Sequence, residues 1–406
     1  MEIKIHTSMK TLLPELPEVL CQPVIGLDTE TTGLDPYQDN LQSIQIASGD
    51  IVHVVDLRAE NFQPLFNYLQ VYPGIICMQN AKFDLTFIHA KYRSLLYNKI
   101  WDTMLAERVI SGGRKISASL AEISSRRLGL KLNKDIRGEF TLPMFQGLPL
   151  SEEQVKYGAV DAWVLPRIRE LQIKDLEESG QMKIAELENR VVPSVVLAEY
   201  KGFKLDEPAW QSIADEAKKN ALTRRSRLVE ILGDRMFNPN SSKEVLAAMR
   251  KLSIEVPVFQ GKETTGEEFI SKIKHPFITE LLSYRESAKQ ASTYGEEFLK
   301  NIHPLTGRLH TDFNQIGTET GRFTSKNPAL QTIPHEEKFR SCFIAGDNHS
   351  IISADFSSQE LVIMTELSQD PELLKIFAEG LDRHTSAAAG IYGVKYENVT
   401  PEQRSA

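Results

Sequence analysis

The segment VIGLDTETTGLD, at residues 24–35, says more about the fold than any other part of the sequence. It opens as a short apolar run that is typical of a buried strand, and it places Asp28 and Glu30 two residues apart where that run ends. Because successive side chains of a strand point to opposite faces, both carboxylates project from one face. Alone this is a weak signal, since acidic pairs are also common at solvated sheet edges.

Beyond this segment, the sequence predicts an α/β domain followed by helices. Further strands are predicted at 41–47, 51–55 and 75–79, with the first strands antiparallel, and helical periodicity begins near Lys82 and returns at 102–111, 117–128 and 151–179. From residue 182 the pattern is nearly all helical, at 182–200, 208–232, 241–252 and 276–300. A loop is predicted at 260–266, a strand at 351–356 and a helix at 357–368. We predict a boundary near residue 180.

Composition allows a nucleic-acid-binding enzyme and disfavours a membrane protein. The chain has 406 residues, enough for two or three domains, and no apolar run long enough to span a bilayer. Its net charge is −8, but basic residues gather at 114–137 and 218–227, so a basic channel for DNA is not excluded. Three distant cysteines without metal-type spacing and no apolar leader lead us to expect a cytoplasmic protein.

Two further motifs supply acids. In NAKFDLTFI, Asn80 closes an apolar strand and Asp84 falls in the first turn of the following helix, where it could be only a capping charge. In YGAVDAWVL, Tyr157 and Asp161 stand four residues apart and share one helical face, which is also ordinary for a surface contact. Together with the strand pair they give four carboxylates that could converge at the mouth of one sheet.

Four converging carboxylates predict a divalent metal site. They would repel one another and take up protons unless cations neutralise them, and two divalent ions meet that requirement. Oxygen ligands without nearby His or Cys favour Mg²⁺, with Mn²⁺ as a substitute, over zinc. Two such ions can hold an attacking water and a leaving 3′ oxygen on either side of a phosphorus, which is phosphodiester hydrolysis. Tyr157 would orient the water, because a phenol is a poor base at neutral pH.

The three motifs DTETTGLD, NAKFDLTFI and YGAVDA resemble those of the DEDD proofreading exonucleases, in the version with tyrosine that DNA polymerase I carries. The resemblance covers about residues 1–180 and implies a ribonuclease H-like exonuclease domain. It implies that Asp28, Glu30, Asp84 and Asp161 bind metal, and that the single-stranded 3′ end of DNA is the substrate. Asn80 and Phe83, in the second motif, are then expected to contact DNA.

The rest of the chain resembles the polymerase part of the bacterial DNA polymerase I family, family A. FNPNSSKEVLAAM at 237–249 is similar to the thumb, and residues 275–334 are similar to the segment that runs from thumb to palm. The resemblance implies that Arg322 and Gln331 contact the primer-template. A loop arginine that only touches phosphate is the alternative for Arg322. The implied domains are 1–180 exonuclease, 181–315 mainly helical thumb, and 316–406 incomplete palm and start of the fingers.

The segment SADFSSQELVIMTELSQD at 353–370 resembles the first catalytic motif of the polymerase palm. Asp355 is then the implied metal-binding catalytic acid, and Glu360 the implied residue that excludes a ribose 2′-hydroxyl. Phe356 and Val362 depart from the commoner family residues, which puts sugar selection in doubt. His384 resembles a fingers histidine that contacts the incoming triphosphate, although a lone helical histidine can equally be structural.

We find no second strand-borne palm acid after Asp355, and one carboxylate cannot hold two metals. Polymerisation by these residues alone is therefore not expected. Thr400, Pro401 and Glu402 read as a helix beginning. We hypothesise that a second polypeptide supplies the remaining fingers and palm, although a truncated sequence would look the same.

Two other functions stay open at this point. One is a free-standing DEDD exonuclease that acts on DNA or RNA, which Glu360 and its motif disfavour. The other is a DNA-holding assembly subunit whose nuclease site is inactive, which the intact acids and Tyr157 disfavour.

Overall fold

The computed structural model describes residues 1–96, 99–132 and 148–405, so part of the basic segment 114–137 lies outside the described residues. The chain divides into two compact units, residues 1–344 and residues 345–406. This division does not follow the three domains expected from the sequence, whose boundaries stay a prediction.

The first unit is built on a six-stranded mixed sheet of order β1-β4-β3-β2-β5-β6. Neighbours β2–β3 and β3–β4 are antiparallel, whereas β1–β4, β2–β5 and β5–β6 are parallel. The predicted antiparallel start of the sheet is confirmed; β1 and β6 were not predicted. The strands are β1 (Glu2–His6), β2 (Val24–Thr31), β3 (Leu41–Ser48), β4 (Ile51–Asp56), β5 (Ile75–Met78) and β6 (Lys99–Asp102).

Helices cover both faces of this sheet, and every residue of β3 is buried. The helix predicted at 151–179 begins with a capping box, in which Ser151 accepts from the Gln154 backbone and Gln154 accepts from the Ser151 backbone. Gly180, at φ +69°, separates it from the next helix. The helices are α1 (Met9–Leu12), α2 (Leu16–Cys21), α3 (Gln63–Val71), α4 (Ala81–Tyr92), α5 (Thr103–Ser111), α6 (Leu120–Leu128), α7 (Glu152–Glu178) and α8 (Met182–Lys201).

The remainder of the first unit is mainly helical, as predicted. Long helices pack around a core that includes Leu228, Phe277 and Leu281, and Trp210 is fully buried with its ring stacked 4.5 Å from that of Phe298. The helices are α9 (Glu207–Leu232), α10 (Ser242–Lys251), α11 (Glu267–Ile270), α12 (Pro276–Thr293), α13 (Glu296–Leu299) and α14 (Glu337–Arg340).

Short strand pairs connect these helices. The predicted loop at 260–266 contains part of one such hairpin, turning at Gly261 with φ +75°. In a second hairpin, Asp312–Asn314 pairs antiparallel with Thr324–Lys326. The strands are β7 (Lys204–Leu205), β8 (Val258–Phe259), β9 (Lys262–Glu263), β10 (Ile302–His303), β11 (Arg308–Leu309), β12 (Asp312–Asn314), β13 (Thr324–Lys326) and β14 (Phe343–Ile344).

The second unit consists of α15 (Gln359–Ser368), α16 (Pro371–Ala378), α17 (Arg383–Tyr392) and α18 (Pro401–Ser405). The helix predicted to begin at Thr400 is confirmed, with Thr400 and Gln403 capping each other's backbone N–H groups. The strand predicted at 351–356 is wrong in this structure. Those residues are exposed and belong to no sheet, because an extended segment becomes a strand only beside a hydrogen-bonded neighbour.

In the described part of the chain, no helix combines the length and apolar character that crossing a bilayer requires.

Candidate functional site

The predicted exonuclease acids lie around one cavity of about 630 Å³ at the end of the sheet. Strand β2 supplies two of them, α4 a third and α7 the fourth with its tyrosine, so residues from three separate segments of sequence line this cavity. The two DNA-contacting residues expected in the second motif line the same cavity. The predicted residues that line it are Asp28, Glu30, Asn80, Phe83, Asp84, Tyr157 and Asp161.

Two glycines let α7 approach the sheet closely enough to bring its acid to the strand pair. A Cβ at Gly26 of β2 would lie 2.1 Å from the carbonyl oxygen of Ala162, the residue after Asp161. A Cβ at Gly158 would lie 2.8 Å from the side-chain amide of Gln45, which stands opposite Asp28 in the β2–β3 register. Each contact is far shorter than an ordinary van der Waals contact, so the positions of Tyr157 and Asp161 depend on the missing side chains.

Asn80 adopts a left-handed conformation, φ 56° and ψ 49°, at the turn between β5 and α4. A buried carboxylate holds this turn: Asp102 accepts backbone N–H groups from Asn80 at 3.0 Å and Ala81 at 2.8 Å. The same carboxylate caps α5 by accepting from Met104 and Leu105. Burial raises the pKa of Asp102, and the four backbone donors oppose that rise. Asp102 therefore positions the helix turn that carries Asp84.

Sequence reasoning missed Asp102. Its only local signal is an acid at the residue before a predicted helix, which indicates an N-cap. That signal does not reveal the second turn that the same carboxylate holds, 22 residues earlier in the chain.

Asp84 is 3% exposed, and its Oδ1 accepts a hydrogen bond from Thr29 Oγ1 at 2.5 Å. Thr29 lies between Asp28 and Glu30 in sequence and lines the same cavity as both of them. Burial is the main reason that the pKa of Asp84 is raised above its ordinary value. The hydrogen bond from Thr29 therefore links Asp84, the acid of the second motif, to the strand segment that carries Asp28 and Glu30.

The donor set fits a hard divalent cation in kind, since the described lining residues offer carboxylate oxygens and neither a thiol nor an imidazole. The oxygens are less closely grouped than the sequence led us to expect. Among the residues that the structure describes, no three Asp, Glu, His or Cys side chains form a group that could hold an ion as placed. Holding a metal here requires the side chains to converge from positions around the cavity.

The wall that completes the cavity comes from far along the chain. Asp312, Asn314 and Lys326, all in the β12–β13 hairpin, line it beside the exonuclease acids. Nothing in the local sequence of these residues points to a nuclease site, so they were also missed.

The other predicted DNA contacts are spread along the chain. Arg322 is exposed in the loop of the β12–β13 hairpin, where its backbone N–H donates to Thr318 Oγ1. Gln331 is exposed too, but its side chain also braces the hairpin: it accepts from the Ser325 N–H and donates to the Phe323 carbonyl.

In the second unit, Asp355, Glu360 and His384 are all exposed. Asp355 was predicted to lie at the end of a strand. That prediction is wrong, because Asp355 follows the extended segment 351–354, which belongs to no sheet. Glu360 lies in the first turn of α15 and His384 in the first turn of α17, both on helices as predicted.

The fold and the cavity define a class of protein: an α/β nuclease-like domain with an acidic cavity, joined to a largely helical region. Comparison with protein families agrees, because residues 4–175 match the 3′-5′ exonuclease family model and residues 208–406 match DNA polymerase family A. The two matches cover nearly the whole chain. The chain belongs to DNA polymerase family A and carries a 3′-5′ exonuclease domain ahead of its polymerase region.

Its relatives are longer proteins. DNA polymerase I of Synechocystis sp. is 29% identical over 94% of this chain and 41% of its own length, and that of Borreliella burgdorferi is 30% identical over 94% and 43%. The chain thus spans about two-fifths of these relatives. The solved POL domain of Pol1 from M. smegmatis, in complex with DNA primer-template and dNTP, superposes with a TM-score of 0.83 at 22% identity. The superposition covers 99% of this chain and 69% of the M. smegmatis chain, and it confirms the fold.

Proposed function

We propose that this chain removes nucleotides from the 3′ end of DNA, as the proofreading exonuclease of a replicative or repair polymerase. One observation carries the proposal: four carboxylates and a tyrosine from three segments of sequence line a single cavity. The family match and the names of the relatives support the same reaction. Phosphodiester hydrolysis needs a set of groups that can gather cations around the scissile phosphate, and these side chains are of the right kind.

Asp28, Glu30, Asp84 and Asp161 would hold two Mg²⁺ ions, or Mn²⁺ in their place. Bound there, the ions would supply Lewis-acid stabilisation of the negative charge that develops at the scissile phosphate, and they would lower the pKa of a water. The chain's own residues do the positioning. Tyr157, one turn before Asp161, would orient the water, and Asn80 and Phe83, which line the same cavity, would contact the terminal nucleotides.

We further propose that the later residues belong to a polymerase site that these 406 residues do not complete. Arg322 and Gln331 would contact the primer-template, Asp355 would hold a metal, Glu360 would exclude ribose, and His384 would contact the triphosphate. A second polypeptide, or further chain, would supply the other palm acid and the fingers.

Exposed apolar side chains in the second unit support this part of the proposal, because a soluble domain rarely exposes so many within 62 residues. They lie on the extended segment 351–356 and on three helices. The exposed residues are Ile351, Ile352, Phe356, Val362, Ile363, Met364, Leu367, Leu374, Phe377, Ile391 and Tyr392. A cytoplasmic location is part of the proposal, and the three free cysteines are consistent with it.

The test is hydrolysis of a labelled primer-template and of a labelled single strand by the purified chain with Mg²⁺ and without nucleotides. We expect stepwise loss of 3′ nucleotides that Asp28→Ala abolishes. Hydrolysis that survives Asp28→Ala would overturn the assignment of the site, and no hydrolysis by the unmodified chain would overturn the reaction. An RNA strand of the same sequence tests the substrate: equal rates on both would contradict a DNA proofreading role.

Extension of the primer when nucleotides are added to this chain alone would contradict the incomplete polymerase site.

A further inference from the structure

Lys82 occupies an unusual position in the first turn of α4, two residues before Asp84. Its side chain is only 16% exposed and lines the acidic cavity. A lysine beside a nuclease cavity would ordinarily be assigned to phosphate binding. The contacts of this one indicate a different role.

All three ammonium protons of Lys82 have acceptors within the protein. Nζ donates to Glu199 Oε1 at 2.7 Å, to the carbonyl oxygen of Phe313 at 2.6 Å and to Asp312 Oδ1. An ammonium group has three donors and no more, so none is left for a phosphate oxygen. The two carboxylates also neutralise its charge.

The contacts of Lys82 and Glu199 hold strand β12 through both backbone groups of one residue, Phe313. Glu199, in the last turn of α8, accepts the backbone N–H of Phe313 at 2.6 Å through the oxygen that Lys82 contacts. Lys82 Nζ donates a hydrogen bond to the carbonyl oxygen of that same residue. Both backbone groups of Phe313 are therefore held, one by α4 through Lys82 and the other by α8 through Glu199.

Fixing β12 fixes the far wall of the cavity. Strand β12 pairs with β13 so that Asp312 faces Lys326 and Asn314 faces Thr324. Lys326 Nζ lies 3.3 Å from Asp312 Oδ2, which continues the network to the wall residue itself. A shift of β12 would move Asn314 and Lys326 together.

We propose that Lys82, Glu199 and Asp312 form a positioning unit for the exonuclease reaction. The unit holds the β12–β13 hairpin against α4, so that the cavity keeps the width that suits a single-stranded 3′ end. It acts on how well the strand is held and not on the hydrolytic step. This inference rests on the proposed exonuclease function.

The test compares Lys82→Met, Asp312→Asn and their double variant in the full 406-residue chain. The substrate is a labelled single-stranded DNA oligonucleotide with Mg²⁺. We expect each single variant to raise KM about tenfold or more and to leave kcat within about twofold, because the ground-state grip is lost and the acids are intact. The double variant should be no worse than the more affected single variant, since both break one network.

Lys91→Met is the matched control. Lys91 lies on the same helix and is exposed, and its ammonium donates to the Leu41 carbonyl, away from the cavity. KM should stay unchanged in this variant. Lys82→Arg keeps the charge and several donors, so its KM should lie between those of the unmodified chain and Lys82→Met. Such partial recovery would show that the effect of Lys82→Met does not come from misfolding.

Amide hydrogen exchange provides a readout independent of activity. Exchange over residues 312–326 should become faster in Lys82→Met and Asp312→Asn and stay unchanged in Lys91→Met. Unchanged exchange in that hairpin, or additive effects of the two substitutions on KM, would overturn the proposal. A lower KM in Asp312→Asn would also overturn it, because that is the result expected if Lys82 binds phosphate directly. If the unmodified chain hydrolyses nothing, the proposed function fails. Hydrogen exchange over residues 312–326 then still tests whether Lys82 and Asp312 hold this hairpin in place.

Discussion

Placing a methyl group at Gly26 tests how closely the helix that carries Asp161 must approach the sheet. In Gly26→Ala the new Cβ would lie 2.1 Å from the Ala162 carbonyl oxygen and 2.9 Å from Cδ of Pro166. Both obstacles belong to α7, and the first is backbone, which cannot turn aside as a side chain can. The helix must therefore retreat from β2.

The size of the effect follows from that distance. Ordinary contact begins near 3.4 Å, so α7 must move by about 1 Å at this point. Overpacking of a well-packed interior costs about 1–3 kcal/mol of stability. A displacement of about 1 Å between reacting groups costs on the order of 100-fold in rate. We expect the chain to stay folded, with a clear loss of stability and an exonuclease kcat/KM about 100-fold lower.

Two measurements check this: the urea midpoint, and the hydrolysis of a labelled single-stranded oligonucleotide. Gly390→Ala is the control, because the same change on α17 meets no atom within 4 Å. Replacing a helical glycine there should stabilise by up to about 1 kcal/mol and leave hydrolysis unaltered. An unchanged midpoint and full hydrolysis in Gly26→Ala would show that close packing of β2 and α7 does not set the geometry of the site.

Three shorter predictions concern the capping acid, the buried histidines and the metal. Asp102→Ala leaves up to four backbone N–H groups without their acceptor. We therefore expect the free energy of unfolding in urea to fall by about 3 kcal/mol or more, together with slower hydrolysis. An unaffected hydrolysis rate would show that the Asn80 turn does not need this carboxylate. His6 Nε2 and His53 Nδ1 lie 3.1 Å apart in a buried pair, and burial lowers the pKa of His53 to about 4. A pKa below the unfolded value of about 6.5 means that the unfolded state binds the proton more readily, so stability is full above about pH 6.5 and falls toward pH 4. His53→Gln should flatten that part of a pH series of unfolding curves, and an identical slope in both proteins would remove the histidine as its cause. Chelation by EDTA should stop hydrolysis and excess Mg²⁺ or Mn²⁺ should restore it, whereas hydrolysis in the presence of the chelator would rule out the proposed cations.

Local patterns predicted the acids of the site because each motif needs only its own element. The spacing of Asp28 and Glu30 follows from the period of a strand, and that of Tyr157 and Asp161 from the turn of a helix. Their meeting at one cavity then depends on the sheet order, which the sequence alone did not provide. The resemblance to a known family supplied that step.

What escaped prediction depends on contacts between distant parts of the chain. Lys82 and Asp312 are 230 residues apart, and neither has a neighbour in sequence that suggests the other. The strand expected at 351–356 failed for the related reason that strand formation depends on a partner as much as on β-branched residues. Edge strand β1 was missed because its five residues form a weak pattern that only pairing with β4 stabilises.

The hairpin that closes the cavity has a practical consequence for dissecting this protein. A fragment cut at residue 180 would keep every acid of the three motifs and still lose one side of the cavity that the proposed substrate strand would enter. Such a fragment is expected to bind oligonucleotides more weakly than the intact chain at any magnesium concentration. The exonuclease domain, if excised at residue 180, would lack part of its cavity, and the missing residues are encoded more than a hundred codons downstream.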